Sequence, residues 1–370
     1  MAKKLRIGII GCGGIAHQKH FPALSHYKDQ VELVAFCDII PECAEESAKN
    51  FGDPGAKVYT DYHELLKDDS IDIVNVLTPN VAHAPITIAA FEAGKNVFCE
   101  KPMSDKPEMA KKMIEAWKKS GKKFTIGYQN RFRPEVQALH KACENGELGD
   151  IYFAKAHALR RRAVPTWGVF PDKSKQGGGP LIDIGTHALD ITLWCMNNYK
   201  PVSIDGSVFE KLGHMQEATE GNMFGPWDPK TFEVEDSAFG FIKMENGATI
   251  YLESSWALNV RDSKEAATTL CGTKAGAEIL SGMSYQQDQL IFNRAHNGLL
   301  SEEKLSPSGN IDYFDGGNNK PEVIEAGQWL DAVANDGEPL VKPEQAYKVT
   351  QILNAIYKAA ATGELVKITY

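Results

Sequence analysis

Leu5-Arg6-Ile7-Gly8-Ile9-Ile10-Gly11-Cys12-Gly13-Gly14-Ile15-Ala16 is a short apolar run that breaks into glycines and then into a helical pattern. Strand, glycine loop and helix are the context that G-x-G-x-x-A needs if it is to hold a dinucleotide. Gly11 would make the tight turn, Gly13 would let the backbone approach a pyrophosphate, and Ala16 would let the helix pack closely on the strand. Gly14 and Ile15 stand where the helix begins, and the free N–H groups and positive dipole end there suit phosphate oxygens. The helical pattern is interrupted at Pro22.

The next strand, residues 31–37, closes in Asp38, roughly twenty residues beyond the glycines, where a ribose-reading acid is expected. A carboxylate there accepts from a ribose 2'-hydroxyl and repels a 2'-phosphate. Ile39 and Ile40 behind it supply no arginine to pair such a phosphate, so the expected cofactor is NAD rather than NADP.

Strand and helix signals then alternate as far as residue 128. Residues 41–51, 63–67, 81–93 and 106–120 read as helical, and 58–60, 71–77, 96–100 and 124–128 as extended. Such alternation implies right-handed crossovers and a parallel, doubly wound sheet. Ligands of these sheets bind outside the carboxyl ends of the strands. Thr78, Asn80 and His83 follow one such end and are expected to border the nicotinamide half of the cofactor. The strand Asn96-Val97-Phe98-Cys99 runs into Glu100-Lys101-Pro102 at another and delivers Lys101 to the same edge.

From Gln129-Asn130-Arg131 the pattern changes. A helix over 134–143 precedes a long alternating strand, 151–159, and further strands are expected at 203–209, 237–244, 248–255, 268–271 and 289–292. Turn signals such as Glu245-Asn246-Gly247 suit antiparallel hairpins. The expected architecture is therefore α/β plus α+β: a Rossmann domain at residues 1–128, and an open, mostly antiparallel sheet domain at 129–370 for substrate binding and self-association. Two loops, 160–180 and 213–233, are too long to be simple connectors. They carry Arg160-Arg161-Arg162, Trp167, Met215, Met223 and Trp227.

Residues 181–195 form an almost wholly apolar helical stretch in which Asp183, His187 and Asp190 fall at i, i+4 and i+7, on one face. Burying such groups together costs several kcal/mol unless they are paired or functional. The Gly177-Gly178-Gly179-Pro180 lead-in would let a ligand approach the helix start.

Composition sets outer bounds. A formal charge of -9, with acids and bases interleaved, argues against a nucleic-acid or anionic membrane surface. The seven cysteines match neither a disulfide framework nor a zinc cluster and fit a reduced cytosol. The basic opening is too short for a signal-peptide core, and no apolar run is long enough to span a bilayer. A cytoplasmic protein acting on a small molecule, with no metal, is the expectation.

Gly11-x-Gly13-x-x-Ala16, Glu100-Lys101-Pro102 and Asp183-x-x-x-His187 together resemble the signature set of the glucose-fructose oxidoreductase and inositol dehydrogenase family, Gfo/Idh/MocA. The resemblance extends to a C-terminal segment, 321–370, similar to the family's closing helices and last strand. It implies an NAD-dependent dehydrogenase of sugars, polyols or glycosides, forming a homodimer or homotetramer through the second sheet. Its cofactor site would include Gly11, Gly13, Gly14, Ile15, Ala16, Asp38, Thr78, Asn80, His83, Glu100, Lys101 and Gln129. Lys101, Asp183 and His187 would be catalytic and, with Asn130 and Trp167, would contact substrate; Asp190 is a further candidate. His187 is the expected general base, Asp183 would orient its ring, and Lys101 would face the developing alkoxide. The reaction is expected where the two domains meet, with C3 of a glucose-type ring as the candidate position. A redox-neutral enzyme that keeps NAD bound while cleaving glycosides carries the same motifs. An NAD-sensing regulator would be free to lose all three catalytic candidates, and none is lost.

Overall fold

The computed structural model describes residues 4–305 and 320–369. It divides into two compact units, Met1–Gln129 with Asn318–Tyr347, and Asn130–Gly317 with Lys348–Tyr370. Among the described residues no helix is long and apolar enough to cross a membrane.

The first unit is a six-stranded parallel sheet formed by β1 (Leu5–Ile10), β2 (Val31–Cys37), β3 (Lys57–Tyr59), β4 (Ile73–Val76), β5 (Asn96–Glu100) and β6 (Phe124–Gly127), in the order β3-β2-β1-β4-β5-β6. Chain direction along the sheet reverses between β1 and β4, so their carboxyl ends frame the crevice in which a doubly wound sheet binds its ligand. Strands covered by helices on both faces read as near-continuous apolar runs rather than alternating ones; β1 does so from Ile7 to Ile10, and every residue of β4, Asn75 included, is buried. Pro22 does not end the first helix. The chain makes a π turn, Ala16–His20, and continues as Phe21–Ser25, with the proline in the first turn of that second piece, where a missing N–H costs nothing.

One boundary differs from the sequence expectation. The helix Pro321–Ala334, placed by sequence in the second domain, belongs to the nucleotide unit, because Val323, Trp329 and Leu330 join the core built by Ile7, Ile9, Phe21, Phe36 and Phe98. The Tyr27 hydroxyl also donates to Val323 O at 2.9 Å. A single short amphipathic pattern does not tell which of two cores it will cover.

The second unit is built on a nine-stranded sheet. Its strands are β7 (Ile151–Leu159), β8 (Pro201–Phe209), β9 (Ser237–Met244), β10 (Thr249–Ser255), β11 (Lys264–Gly272), β12 (Gly276–Leu280), β13 (Gln289–His296), β14 (Leu299–Leu305) and β15 (Val366–Lys367). The order is β14-β13-β12-β11-β7-β10-β9-β8-β15, antiparallel except for the parallel pair β7 and β10. β12 and β14 lie outside the sequence expectation, since the charged run of β14 is exposed along its whole length. The helix Thr186–Met196 packs on the middle of the sheet with nearly every residue buried.

Candidate active site

In the first unit the glycine loop is shaped by two close approaches. Gly11 has φ +96, and a Cβ there would lie 2.6 Å from the backbone of Leu77, so only glycine lets β1 turn across the end of β4. A Cβ on Gly13 would meet nothing within 4 Å, which leaves open space over the start of the helix. Asp38 binds the loop from the side: its carboxylate accepts from Cys12 N at 2.8 Å and from Ile40 N at 2.9 Å. Thr78, at the end of β4, has a buried hydroxyl with no protein partner. An open cradle, an acid at the end of β2 and an unsatisfied hydroxyl at the switch point together fit a bound dinucleotide. The residues that would hold it are Gly11 to Ala16, Asp38 and Thr78, with Asn80 at the start of the next helix.

Lys101 sits at the end of β5 on a buried polar scaffold. Glu100 is almost wholly buried; its Oε1 lies 2.6 Å from Lys19 Nζ and 2.9 Å from His20 Nε2, while its Oε2 accepts the Lys101 N–H at 3.0 Å. Burial alone would raise the Glu100 carboxyl, but the Lys19 ammonium and the His20 bond outweigh it and hold the group well below the ordinary value. Lys19 also pairs with Glu325 at 2.9 Å and donates to Gln129 Oε1 at 3.2 Å. Burial works against its charge, yet the two carboxylates raise it.

His83 is spent locally. Its Nδ1 lies 2.8 Å from Pro102 O and its Nε2 2.9 Å from Thr78 O, and burial lowers its proton affinity. The ring thus ties the turn after Lys101, whose Lys101–Pro102 peptide is cis, to the end of β4. Glu100 and His83, expected to border the cofactor, bond the backbone on either side of Lys101, and Gln129, expected there too, accepts from Lys19.

In the second unit the π turn Leu181–Gly185 precedes the helix Thr186–Met196 and brings Asp183 to Trp256, whose indole Nε1 donates to Asp183 Oδ2 at 3.1 Å. Asp183 is half-buried and its charge reaches Arg160, which is forked onto Glu265. His187 is half-buried, one turn further on. Trp167 is 47 % exposed and packs edge-on against Phe224, with ring centroids 4.7 Å apart. Asn130 is the second residue of a short 3-10 turn, Gln129–Phe132.

Two expectations are corrected here. Asp190 is not available to a ligand: it is fully buried and clamped by Arg131, Nε to Oδ2 at 2.8 Å and Nη2 to Oδ1 at 2.6 Å. The π turn breaks the simple i, i+4, i+7 phase, so Asp190 faces the core while Asp183 remains half-open. The glycine lead-in does not admit a ligand either. A Cβ on Gly178 would lie 2.2 Å from the Tyr357 hydroxyl, and one on Gly179 2.3 Å from Glu235 O. The helix start is already capped by a protein anion, since Glu235 accepts from Gly179 N at 2.9 Å, Leu181 N at 3.1 Å and the Tyr357 hydroxyl at 2.7 Å. Burial nevertheless raises the Glu235 carboxyl.

Sequence reading missed Lys19, Arg131, Glu235 and Trp256. Glu235 and Trp256 are far in sequence from what they hold, and nothing local marks them. Lys19 reads as an ordinary solvated helix lysine between two histidines.

Residues 5–128 match the family model described as an oxidoreductase family with an NAD-binding Rossmann fold, and residues 136–278 match the GFO/IDH/MocA C-terminal domain. The chain is 36% identical over 366 residues to the D-glucoside 3-dehydrogenase of Escherichia coli strain K12, covering 98% of this chain and 97% of that protein. It is 26% identical over 394 residues to the levoglucosan dehydrogenase of Pseudarthrobacter phenanthrenivorans, covering 99% and 98%. A solved levoglucosan dehydrogenase in complex with NADH and levoglucosan has the same fold, with a TM-score of 0.82 over the whole of both chains at 23% identity. The glycine cradle, the acid of β2 and full-length similarity to a sugar dehydrogenase converge, and the chain belongs to the Gfo/Idh/MocA family of NAD-binding oxidoreductases.

Proposed function

We propose that this oxidoreductase oxidises a secondary hydroxyl of a glucoside or related sugar, at C3 of a glucose-type ring. The observation that carries the reading is the similarity to a D-glucoside 3-dehydrogenase along practically the whole chain. Lys101, Asp183 and His187 are assigned to the reaction. Bound NAD supplies the hydride acceptor. What remains for the protein is to remove the hydroxyl proton and to hold the alkoxide charge while the carbon is oxidised.

His187 is assigned as the base, since an imidazole titrates near working pH and a placed general base contributes roughly 10² to 10⁴ in rate. Asp183, held by Trp256, orients that ring and accepts from a neighbouring sugar hydroxyl. Lys101 supplies the ammonium that stabilises the alkoxide. Trp167, exposed beside Phe224, offers an aromatic face to the sugar or its aglycone.

A homo-oligomer built through the second sheet belongs to the same proposal. Asp205 pairs with Phe241 and Ser207 with Phe239, so Phe209, Phe239 and Phe241 share one face. On that face Phe209 and Phe241 are exposed.

The test is a panel of inositols, hexoses and glucosides with NAD, followed by NADH absorbance and by product analysis for a 3-keto sugar. Oxidation of glucosides above inositols supports the reading. Release of aglycone without net NADH would replace it with redox-neutral glycoside cleavage. His187→Ala and Lys101→Ala are each expected to lower turnover at least about a hundredfold, with NAD affinity unchanged within a few fold. Wild-type rates in either variant would remove that residue from the site.

A further inference from the structure

Beyond the end of β7 the three arginines part company. Arg160 turns inward onto Glu265. Arg161 and Arg162, with Glu220, Met223, Asn259 and Met283, line a pocket of about 460 Å³. Arg162 is fixed in place: one terminal nitrogen donates to Arg161 O and the other to Asn259 Oδ1, each at 2.7 Å. A guanidinium has five N–H donors, so most of this group's capacity is left for something else.

Among the described residues neither Arg161 nor Arg162 has a carboxylate within ion-pair distance. Glu220 is the one acid of the lining, against two guanidinium groups, and the pocket is net positive. Burial, and after it the neighbouring Arg161, lowers the proton affinity of Arg162, outweighing the opposite pull of the Asp236 carboxylate, which lies beyond ion-pair distance.

The volume and the two methionines in an otherwise polar lining specify the ligand further. A space of this size lies within the range of small organic ligand sites and is far larger than a bare oxyanion needs. Met223 and Met283 are 60% and 42% exposed, and thioethers of this kind accept flat rings at their edges. A run of ring contacts also leads from Asp183 as far as Phe224, the sequence neighbour of the lining residue Met223. Trp256 bonds Asp183, Phe170 packs edge-on against Trp256, Trp167 against Phe170, and Phe224 against Trp167. Met223, next in sequence to Phe224, donates its N–H to Arg162 O at 3.0 Å.

We propose that the pocket of Arg161 and Arg162 is an aglycone subsite for a flat aglycone carrying a carboxylate or phosphate ester. The sugar would lie toward Asp183, the aromatic ring along the methionines and the anion against the two arginines. This rests on the glucoside reading above.

The test compares 4-carboxyphenyl β-D-glucoside with its carboxamide, which has nearly the same shape and no charge. In the wild-type enzyme kcat/KM should favour the carboxylate by about tenfold or more, the worth of one charge-assisted contact, chiefly through KM. Arg162→Gln and Arg161→Gln should each reduce that ratio, the double substitution should bring it to about one, and Arg162→Lys should retain part of it. Arg161 is exposed, so its variant tests the idea without disturbing the fold. A 4-phosphonooxyphenyl glucoside distinguishes the two anions, and a preference for either over the carboxamide supports the subsite. Equal kcat/KM for charged and neutral glucosides, or a preference that survives the double substitution, overturns it. If neither aryl glucoside is oxidised while free sugars are, the glucoside reading has failed and the subsite fails with it.

Discussion

Lys19 Nζ lies 2.6 Å from Glu100 Oε1, with both side chains less than a tenth exposed. Glu100 is the residue whose other oxygen receives the Lys101 N–H, so an ion pair in the core of the nucleotide unit fixes the strand end that carries Lys101, the lysine proposed for catalysis. Burial of two charges is tolerated because each has more than one partner: Lys19 reaches Glu325 and Gln129, and Glu100 also takes a bond from His20.

Removing one member should cost far more than removing the pair. Lys19→Met leaves Glu100 and Glu325 as buried carboxylates without their ammonium, and a loss of about 3–5 kcal/mol is expected. Combining it with Glu100→Gln and Glu325→Gln should recover much of that loss. Urea unfolding at neutral pH, followed by circular dichroism, measures both. A single variant no less stable than the triple one would show that the charges are not coupled.

Glu325 gives the first unit a pH dependence of definite sign. Burial, the largest effect, together with the nearby Glu100 charge, raises this carboxyl to about 7 against the pull of Lys19. The folded state therefore holds a proton on Glu325 between the ordinary glutamate value of 4.5 and about 7 that the unfolded state does not. Stability from this group is greatest below that window and is lost as pH rises through it. Glu100 has the opposite sign: its carboxyl is depressed, and its contribution is present above the ordinary glutamate value and lost in acid. Denaturation midpoints from pH 5 to 8 should slope downward less in Glu325→Gln than in the wild type. An unchanged slope would place the titration elsewhere.

Asp38 is expected to select the coenzyme. Asp38→Ala loses the acceptor for Cys12 N and the group that would meet a ribose hydroxyl, so the KM for NAD should rise by about tenfold or more. Asp38→Asn keeps an acceptor but not the charge, and the ratio of NADP to NAD efficiency should rise because the repulsion of a 2'-phosphate is gone. Coenzyme titrations at saturating sugar separate the two effects. An unaltered ratio in the Asn variant would deny the carboxylate its part in selection.

The parts of the molecule legible in its sequence are those specified locally. The glycine loop, Asp38 and the apolar strands carry their physical reasons within a few residues, and the parallel sheet follows from their alternation. Lys101 and Asp183 could be named as candidates because a lysine at a strand end and an acid in an apolar helix are costly to place without purpose. Partners supplied from a distance were not legible. Asp190 looked equivalent to Asp183 until Arg131, 59 residues away, claimed it. The glycines before the helix looked like an approach for a ligand, whereas Tyr357 and Glu235 occupy the space a side chain would need. The π turn at 181–185, which separates the two aspartates onto different sides, has no sequence signal of its own.

Trp256 provides the sharpest check on the substrate side of the site. Its ring is fully buried and its Nε1 donates to Asp183 Oδ2, so it both packs the unit and holds the acid. Trp256→Phe keeps most of the ring and removes the donor. Packing loss should lower stability by about 1–3 kcal/mol. A carboxylate deprived of a hydrogen-bond donor holds its proton more tightly, so the acidic limb of the kcat profile should move to higher pH, and turnover at neutral pH should fall by about tenfold. A structural role alone would lower the unfolding midpoint and leave the profile where it was. The shift of the acidic limb therefore decides whether Asp183 works as an ionised partner of His187, and Trp256 is the residue through which that can be read without touching either.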